Sequence, residues 1–235
     1  MHRFLLASKM FCLIVLTGTH LMFGERSLVE HVKKCIEFAK NDQSKLTPEA
    51  LSIEGMTSRK VKHLLNNICT LENSTYFEIG TWKGSTFIAS LYGNGSSVVE
   101  AVACDNWSLF GGPKQEFKRN CSLINDVNYR FYEQDCFVLD KDGLFENPVN
   151  IYFYDGEHTV RDQERAFTYF NDVFADTFIA IVDDWNFPNV PKGTRAAFQK
   201  LEYTILYEIV LPAKKVGDPE TWWNGLYVAV LSKKT

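Results

Sequence analysis

From Thr75 onward, short apolar segments alternate with segments whose apolar residues recur at helical spacing. Continuous apolar segments are typical of strands buried on both faces, and the segments between them are typical of helices that cover a parallel sheet. The apolar segments predict five parallel strands, at residues 76–79, 98–104, 129–133, 149–154 and 178–182. Connecting helices are predicted at residues 85–92, 113–124, 137–145 and 159–174.

The two ends of the chain extend this pattern. A helix over 194–201 and strand-like runs at 204–211 and 226–231 predict a terminal antiparallel pair, because residues 212–224 have no helical spacing. Before the first strand, 25–40 has helical spacing, and so has the part of 52–69 that follows residues 56–58, where Thr57 or Ser58 could cap the second helix. The predicted fold is α/β: a doubly wound, Rossmann-like seven-stranded sheet, mostly parallel with an antiparallel C-terminal strand. Residues 25–235 are expected to form one domain with two N-terminal helices.

Residues 1–24 form a separate segment. An apolar run over 10–17 follows three basic residues, which predicts either a secretory signal peptide or an over-long start of the chain. The run is too short to span a bilayer. A cytoplasmic location is therefore expected, and a secreted one if the signal is real.

Charge and cysteine content reduce the number of possible partners and metal sites. The net charge is −4 and the pI is near 5.8, so no basic footprint for nucleic acid or an anionic membrane is present. We expect a small-molecule substrate, no nucleic-acid partner and no stable membrane insertion; homo-oligomer formation stays open. None of the six cysteines forms a C-x-x-C pair, which argues against a zinc site and leaves the disulfide state open.

The most informative stretch runs from Glu78 to Thr86, where a predicted strand passes through two glycines into a predicted helix. Gly80 and Gly84 would allow a sharp turn and a close approach of backbone to a ligand. Neither the G-x-G-x-x-G fingerprint nor the lysine of a phosphate-binding loop is present. The stretch resembles the first motif of the S-adenosylmethionine-dependent methyltransferases, E-x-G-x-x-x-G-x-[ST]; an ordinary strand-to-helix turn is the alternative.

Every predicted parallel strand is followed by an acidic residue or ends near one. In such sheets the ligand lies beyond the carboxyl ends of the strands, so these side chains are expected at one edge. Asp105 is placed to bind the hydroxyls of a ribose, or else to cap the following segment. Asp135 and Cys136 could lie along the nucleobase, although Asp135 is nearly as well explained as a plain cap.

A second group follows the fourth and fifth strands. Asp155, Asp183 and Asp184 would repel one another, and a hard divalent cation such as Mg²⁺ would relieve that repulsion. The alternative is that Asp155 alone faces the pocket while Asp183 caps the next turn. His158 could remove a proton from a substrate hydroxyl, or could be a helix-start histidine bonded to Glu157.

Together these residues resemble the magnesium-dependent O-methyltransferases of the catechol and caffeoyl-CoA type, and more closely the macrocin-type sugar O-methyltransferases. The resemblance covers Met56 to the C-terminus. It implies that the following residues line the cofactor site: Met56, Thr57, Glu78, Gly80, Thr81, Gly84, Ser85, Asp105, Asn106, Asp135, Cys136 and Asp155. It also implies that Asp155, Asp183 and Asp184 bind the metal and that His158 and Asp155 are catalytic. The catechol-type pattern has asparagine at the position of Asp184 and lysine at that of His158.

The expected activity is therefore S-adenosylmethionine-dependent O-methylation of a small-molecule hydroxyl with metal assistance. Two alternatives remain: a nucleotide-cofactor oxidoreductase or hydroxylase on a similar scaffold, and a relative that binds the cofactor without turnover. The oxidoreductase would bind a nicotinamide cofactor, which calorimetry would detect. The relative without turnover would bind S-adenosylmethionine and form no product with any acceptor.

Overall fold

The computed structural model describes residues 24–234 as a seven-stranded sheet covered by helices on both faces. The spatial order of the strands is β3-β2-β1-β4-β5-β7-β6. The strands are β1 (Ser74–Ile79), β2 (Val98–Asp105), β3 (Tyr129–Glu133), β4 (Val149–Tyr154), β5 (Phe174–Val182), β6 (Thr204–Leu211) and β7 (Leu226–Ser232). Strands β1 to β5 pair in parallel, and β7 lies antiparallel between β5 and β6. The predicted fold class is confirmed.

Seven α-helices accompany the sheet in the described part of the chain. They are α1 (residues 24–40), α2 (Pro48–Ser52), α3 (Arg59–Ile68), α4 (Ser85–Leu91), α5 (Lys114–Asn120), α6 (Val160–Thr168) and α7 (Asn189–Lys200). The hydroxyl of Ser58 accepts the backbone N–H of Val61 and caps α3, so Ser58 rather than Thr57 is the N-cap.

The core has two halves, one on each face of the sheet, and β4 shows how the sequence builds them. Ile151 and Phe153 point to the half formed with α1, α3 and α4, whereas Tyr152 and Tyr154 point to the half formed with α6 and α7. All four side chains are buried. Because both faces are covered, the strand is apolar throughout, and each buried side chain of this size contributes about 1.5–3 kcal/mol.

The prediction of a helix over 137–145 was wrong. The carboxylate of Asp135 caps a single 3₁₀ turn at Cys136–Val138, and a loop follows. Leu139 and Leu144 anchor that loop in the core, and Gly143 adopts a positive φ of 71° that ends any helical path. The apolar residues of this segment are therefore anchors of a loop and do not form a helix face.

Other helix and strand boundaries differ from the predicted ones by smaller amounts. The helix predicted over 159–174 ends at Thr168, because a 3₁₀ turn at Asn171–Val173 leads into β5, which begins at residue 174 rather than 178. Helix α7 begins five residues earlier than predicted and accommodates Pro191 in its first turn, where a proline is tolerated. Helix α5 ends at residue 120 and continues as a 3₁₀ turn, Cys121–Ile124.

The helix predicted after Thr57 or Ser58 is present as α3, and a short helix that was not predicted, α2, precedes it. Helix α2 ends at Ser52, residues 53–58 form a linker, and α3 begins at Arg59. The prediction for the N-terminal segment concerns residues 1–24, of which 1–23 lie outside the described residues. Within the described residues, no helix is long and apolar enough to cross a membrane.

Candidate functional site

The loop between β1 and α4, residues 80–84, occupies the centre of the carboxyl edge of the sheet. The backbone N–H of Gly80 donates to Cys104 of β2, and Gly80 has a positive φ of 86°. A Cβ added at Gly80 would lie against the backbone oxygen of Asp155, well inside the 3.0 Å that real Cβ contacts essentially never cross. The close approach of this loop to the end of β4 therefore requires glycine.

Asp105, at the end of β2, fastens this loop. One carboxylate oxygen accepts the backbone N–H groups of Thr81 (2.9 Å) and Trp82 (2.7 Å), and the other accepts that of Trp107 (2.7 Å). Asp105, which the sequence predicts to bind a ribose, therefore holds the glycine loop in place. The neighbouring Asn106 is exposed, and its side chain accepts the N–H of Ser108.

Glu78 lies inside the core rather than in the open loop. Its side chain is fully buried between β1 and α4, with the hydroxyls of Tyr76 and Thr86 in hydrogen-bonding contact with its two oxygens. Burial raises the pKa of Glu78 to about 8. Since the side chain has no exposed surface, its contact with a bound cofactor would be indirect.

The linker that carries Met56 and Thr57 lies directly against the start of α4. The hydroxyl of Ser85 donates to the carbonyl of Ile53 at 3.2 Å, and a Cβ added at Gly55 would collide with the Ser85 side chain. The structure thereby brings the linker, Ser85 and the glycine loop into one region.

Two hydroxyls in this region are buried without a partner. The Oγ1 atoms of Thr57 and Thr81 have no hydrogen-bond partner among residues 24–234. Buried polar groups are nearly always satisfied, so each calls for a ligand or a water molecule. The region therefore fits a small polar cofactor.

The predicted residues at the end of β3 have mainly local contacts. Asp135 is exposed, and its carboxylate accepts the N–H of Phe137 at 2.8 Å, which is the capping role considered above. Burial raises the pKa of the Cys136 thiol to about 12. This thiol stays protonated at neutral pH and is a poor nucleophile.

Beyond β4 and β5, three side chains converge. Asp155, His158 and Asp184 each offer one ligand atom, and these atoms lie within 4.8 Å of one another. The Nε2 atom of His158 is 2.5 Å from a carboxylate oxygen of Asp184, and this hydrogen bond raises the pKa of the imidazole. The ring of His158 stacks on Phe187 with centroids 5.3 Å apart, which fixes its orientation.

Asp183 is not a member of this convergent group, although it directly precedes Asp184. Its carboxylate is buried and accepts the backbone N–H of Asp184 at 2.9 Å, which is the turn-capping alternative. Burial, with repulsion from neighbouring carboxylates, raises the pKa values of Asp155 and Asp183 well above the ordinary range. Of the three predicted metal ligands, Asp155 and Asp184 are in the convergent group, and the third member is His158.

Asn224 is a site residue that the sequence analysis missed. Its amide donates to the second oxygen of Asp184 at 2.6 Å and accepts the N–H of Gly217 at 2.7 Å. Asn224 lies in the β6–β7 connection, 40 residues from Asp184 in sequence. The only signal was the Asn-Gly pair before β7, which marks a turn and says nothing about its neighbours in space.

No family model matches this sequence, and no curated protein does. Solved structures do match its fold. TrmN from Thermus thermophilus aligns with a TM-score of 0.55 and 12% identity, over 80% of this chain and 52% of that protein. The O-methyltransferase TomG from Streptomyces achromogenes, in complex with S-adenosylmethionine, aligns with a TM-score of 0.54 and 16% identity, over 85% of this chain and 96% of TomG.

The chain has the fold of the class I S-adenosylmethionine-dependent methyltransferases. It spans about half the length of the Thermus protein and nearly the whole of TomG. In this methyltransferase fold, the glycine loop and the group of Asp155, His158 and Asp184 share the carboxyl edge of the sheet.

Proposed function

We propose that this protein is a methyltransferase that moves the methyl group of S-adenosylmethionine to a hydroxyl of a small molecule, with the help of a divalent metal ion. The observation that carries the proposal is the convergence of Asp155, His158 and Asp184 beside the glycine loop of a methyltransferase fold. TomG, a solved relative in fold, is an O-methyltransferase and holds S-adenosylmethionine.

The cofactor would lie on the glycine loop, where its polar groups would satisfy the buried hydroxyls of Thr57 and Thr81. When bound, S-adenosylmethionine supplies a methyl group on a positively charged sulfur. The chain's contribution is then mainly alignment of the acceptor oxygen with that methyl group, which can lower the barrier by several kcal/mol.

His158 is the proposed base. When the acceptor oxygen takes up the methyl group that the cofactor would supply, the hydroxyl proton would pass to Nδ1 of His158, because Nε2–H of the same ring donates to Asp184. Asp184, 2.5 Å away, stabilises the resulting imidazolium, and Asn224 keeps Asp184 in this orientation. Phe187 holds the ring from its face.

Asp155 and Asp184 would hold the metal ion, since carboxylate oxygens are the ligands that hard divalent ions prefer. Such an ion supplies a Lewis acid that makes a bound hydroxyl more acidic. Carboxylate oxygens suit Mn²⁺ as well as Mg²⁺, so both ions should be compared.

The test is calorimetry on the full chain with S-adenosylmethionine, S-adenosylhomocysteine and NADH, each with and without Mg²⁺ or Mn²⁺. We expect micromolar binding of the first two ligands and none of NADH. His158→Gln should retain cofactor affinity and lose release of S-adenosylhomocysteine on a panel of catechols and sugars. Asp155→Asn should lose the metal effect, whereas Asp135→Asn, the matched control at another strand end, should keep it.

Three results would refute parts of this proposal. Binding of NADH in place of the two methionine nucleosides would indicate an oxidoreductase. Cofactor binding without product on any acceptor would indicate a relative that lacks turnover. Full turnover by His158→Gln would exclude this histidine as the base.

A further inference from the structure

Four polar side chains lie together in the otherwise apolar core between β1 and α4. They are Tyr76 and Glu78 of β1 and Thr86 and Ser90 of α4, and none is more than 5% exposed. Burial of so many polar groups is costly unless every hydrogen-bonding position is satisfied. Their contacts can therefore be used to count the hydrogen atoms that the cluster needs.

The cluster contains four hydrogen-bonding contacts. The Thr86 hydroxyl is 2.7 Å from one Glu78 oxygen, and the Tyr76 hydroxyl contacts the other. The Ser90 hydroxyl is 2.9 Å from the Tyr76 hydroxyl and 2.8 Å from the backbone carbonyl of Thr86.

Each contact requires one hydrogen atom. If Glu78 were ionised, the three hydroxyls would supply three hydrogens for four contacts, and two oxygens would face each other with none between them. A neutral Glu78 supplies the fourth. Glu78 then donates to Tyr76, Tyr76 donates to Ser90, Ser90 donates to the Thr86 carbonyl, and the Thr86 hydroxyl donates back to Glu78.

The electrostatic surroundings agree with this count. The titratable groups that interact with Glu78 from other elements are all acids: Asp105 of β2, Asp155 after β4, Asp183 after β5, Cys69 after α3 and Cys121 after α5. A negative charge on Asp105 disfavours one on Glu78, and none of these groups offers Glu78 a positive charge. Within its own strand, the contact is the neutral phenol of Tyr76.

We propose that Glu78 is a neutral acid that closes a hydrogen-bonded ring with Tyr76, Ser90 and Thr86. The ring joins β1 to the first two turns of α4 and so sets the position of the glycine loop between them. Glu78 is thus a positioning residue for the cofactor site. It does not act as an ionic ligand of a positively charged cofactor group.

The decisive variant is Glu78→Gln, because an amide can replace the acid in the ring. Its N–H donates to Tyr76 and its oxygen accepts from Thr86 at every pH. Glu78→Met is the matched control, since it has similar length and no polar group. For an ionic ligand, by contrast, Gln and Met would be equally damaging.

Two readouts need no cofactor. The infrared difference between wild type and Glu78→Gln should contain the carbonyl band of a protonated carboxylic acid at about pH 6, and this band should vanish with a midpoint near pH 8. The folded pKa of this acid is raised from 4.5 to about 8, so its stabilisation is fully present below about pH 4.5 and is lost as pH rises from there to about 8. The melting temperature of wild type relative to Glu78→Gln should therefore fall between about pH 4.5 and pH 8 and stay level above that.

A third readout rests on the proposed function. Glu78→Gln should bind S-adenosylhomocysteine within about threefold of wild type, and Glu78→Met should lose about tenfold or more. A wild type without the acid band at about pH 6 would overturn the proposal, as would a folded Glu78→Gln protein with a tenfold loss of affinity. If wild type binds no nucleoside, the proposed function fails, while the infrared and melting experiments still decide the protonation of Glu78.

Discussion

Replacement of Gly80 by alanine tests the central packing of the site. At this position φ is +86°, and an added Cβ would meet the backbone oxygen of Asp155 at a separation that real structures do not contain. The left-handed conformation alone costs an alanine about 1–2 kcal/mol. The oxygen belongs to the backbone and cannot rotate away, so the ends of β1 and β4 must separate, which strains the hydrogen bond from Asp155 N–H to Ile79 (2.9 Å). Overpacking of this kind adds about 1–3 kcal/mol, for a total of about 2–5 kcal/mol.

Two other glycines serve as matched controls for this variant. Gly143 has a φ of +71° and open space around its Cβ position, so Gly143→Ala should reveal the conformational cost alone, about 1–2 kcal/mol. Gly84 has a φ of +85°, and its Cβ would be 3.0 Å from the flexible side chains of Ile88 and Phe117. Gly84→Ala should therefore cost more than Gly143→Ala and less than Gly80→Ala.

The assay is urea unfolding of each variant, followed by titration of the folded protein with S-adenosylhomocysteine. We expect a graded loss in the free energy of unfolding, which is largest for Gly80→Ala. Equal losses for Gly80→Ala and Gly143→Ala would show that β1 and β4 separate without cost and would refute the close-contact argument.

Two further predictions concern the supports of the site. Lys62 is buried and donates to the carbonyls of Leu51 (2.9 Å) and Ile53 (2.7 Å). Lys62→Met should cost about 1–3 kcal/mol in urea unfolding at neutral pH, because both carbonyls lose this donor and Ile53 keeps only the Ser85 hydroxyl. Burial lowers the pKa of Lys62 from 10.5 to about 8, so between these values the folded state binds fewer protons than the unfolded state. The stability of wild type relative to Lys62→Met should therefore rise between about pH 8 and pH 10.5. A stability difference that does not change with pH would contradict this. Asn224→Ala should weaken Mn²⁺ binding measured by calorimetry, because Asp184 loses its amide partner, and should leave nucleoside affinity unchanged; unaltered metal affinity would show that Asn224 does not orient this carboxylate.

The strands at the centre of the sheet could be predicted from sequence because they are covered on both faces. The predicted bounds of β4 match the structure, and so do those of the largely exposed edge strand β6, since each is an apolar run of strand length between turn residues. The helix expected over 137–145 failed for a complementary reason. Leu139 and Leu144 have the apolar character of a helix face, yet each is a separate anchor for a loop, and only tertiary packing distinguishes the two cases.

The candidate site was predictable in its location and less so in its contacts. Parallel topology alone predicts that the acids at the strand ends lie on one edge of the sheet, as Asp105 and Asp155 do. Topology could not predict that Asp105 would bind the glycine loop, that Glu78 would turn into the core, or that Asn224 would reach Asp184. These contacts depend on which way each side chain points at a turn, and the periodicity of the sequence does not contain that information.

The place of β7 between β5 and β6 imposes an order on assembly. Strand β6 has β7 as its neighbour in the sheet, so it joins the sheet only when β7 has inserted beside β5. Docking of β7 beside β5 closes a long loop of chain, which costs conformational entropy. Asn224 stands two residues before β7 and arrives with it. The strand that carries β6 into the sheet thus also completes the environment of Asp184, and a chain without β7 in place would have the glycine loop but not the Asn224 partner of Asp184.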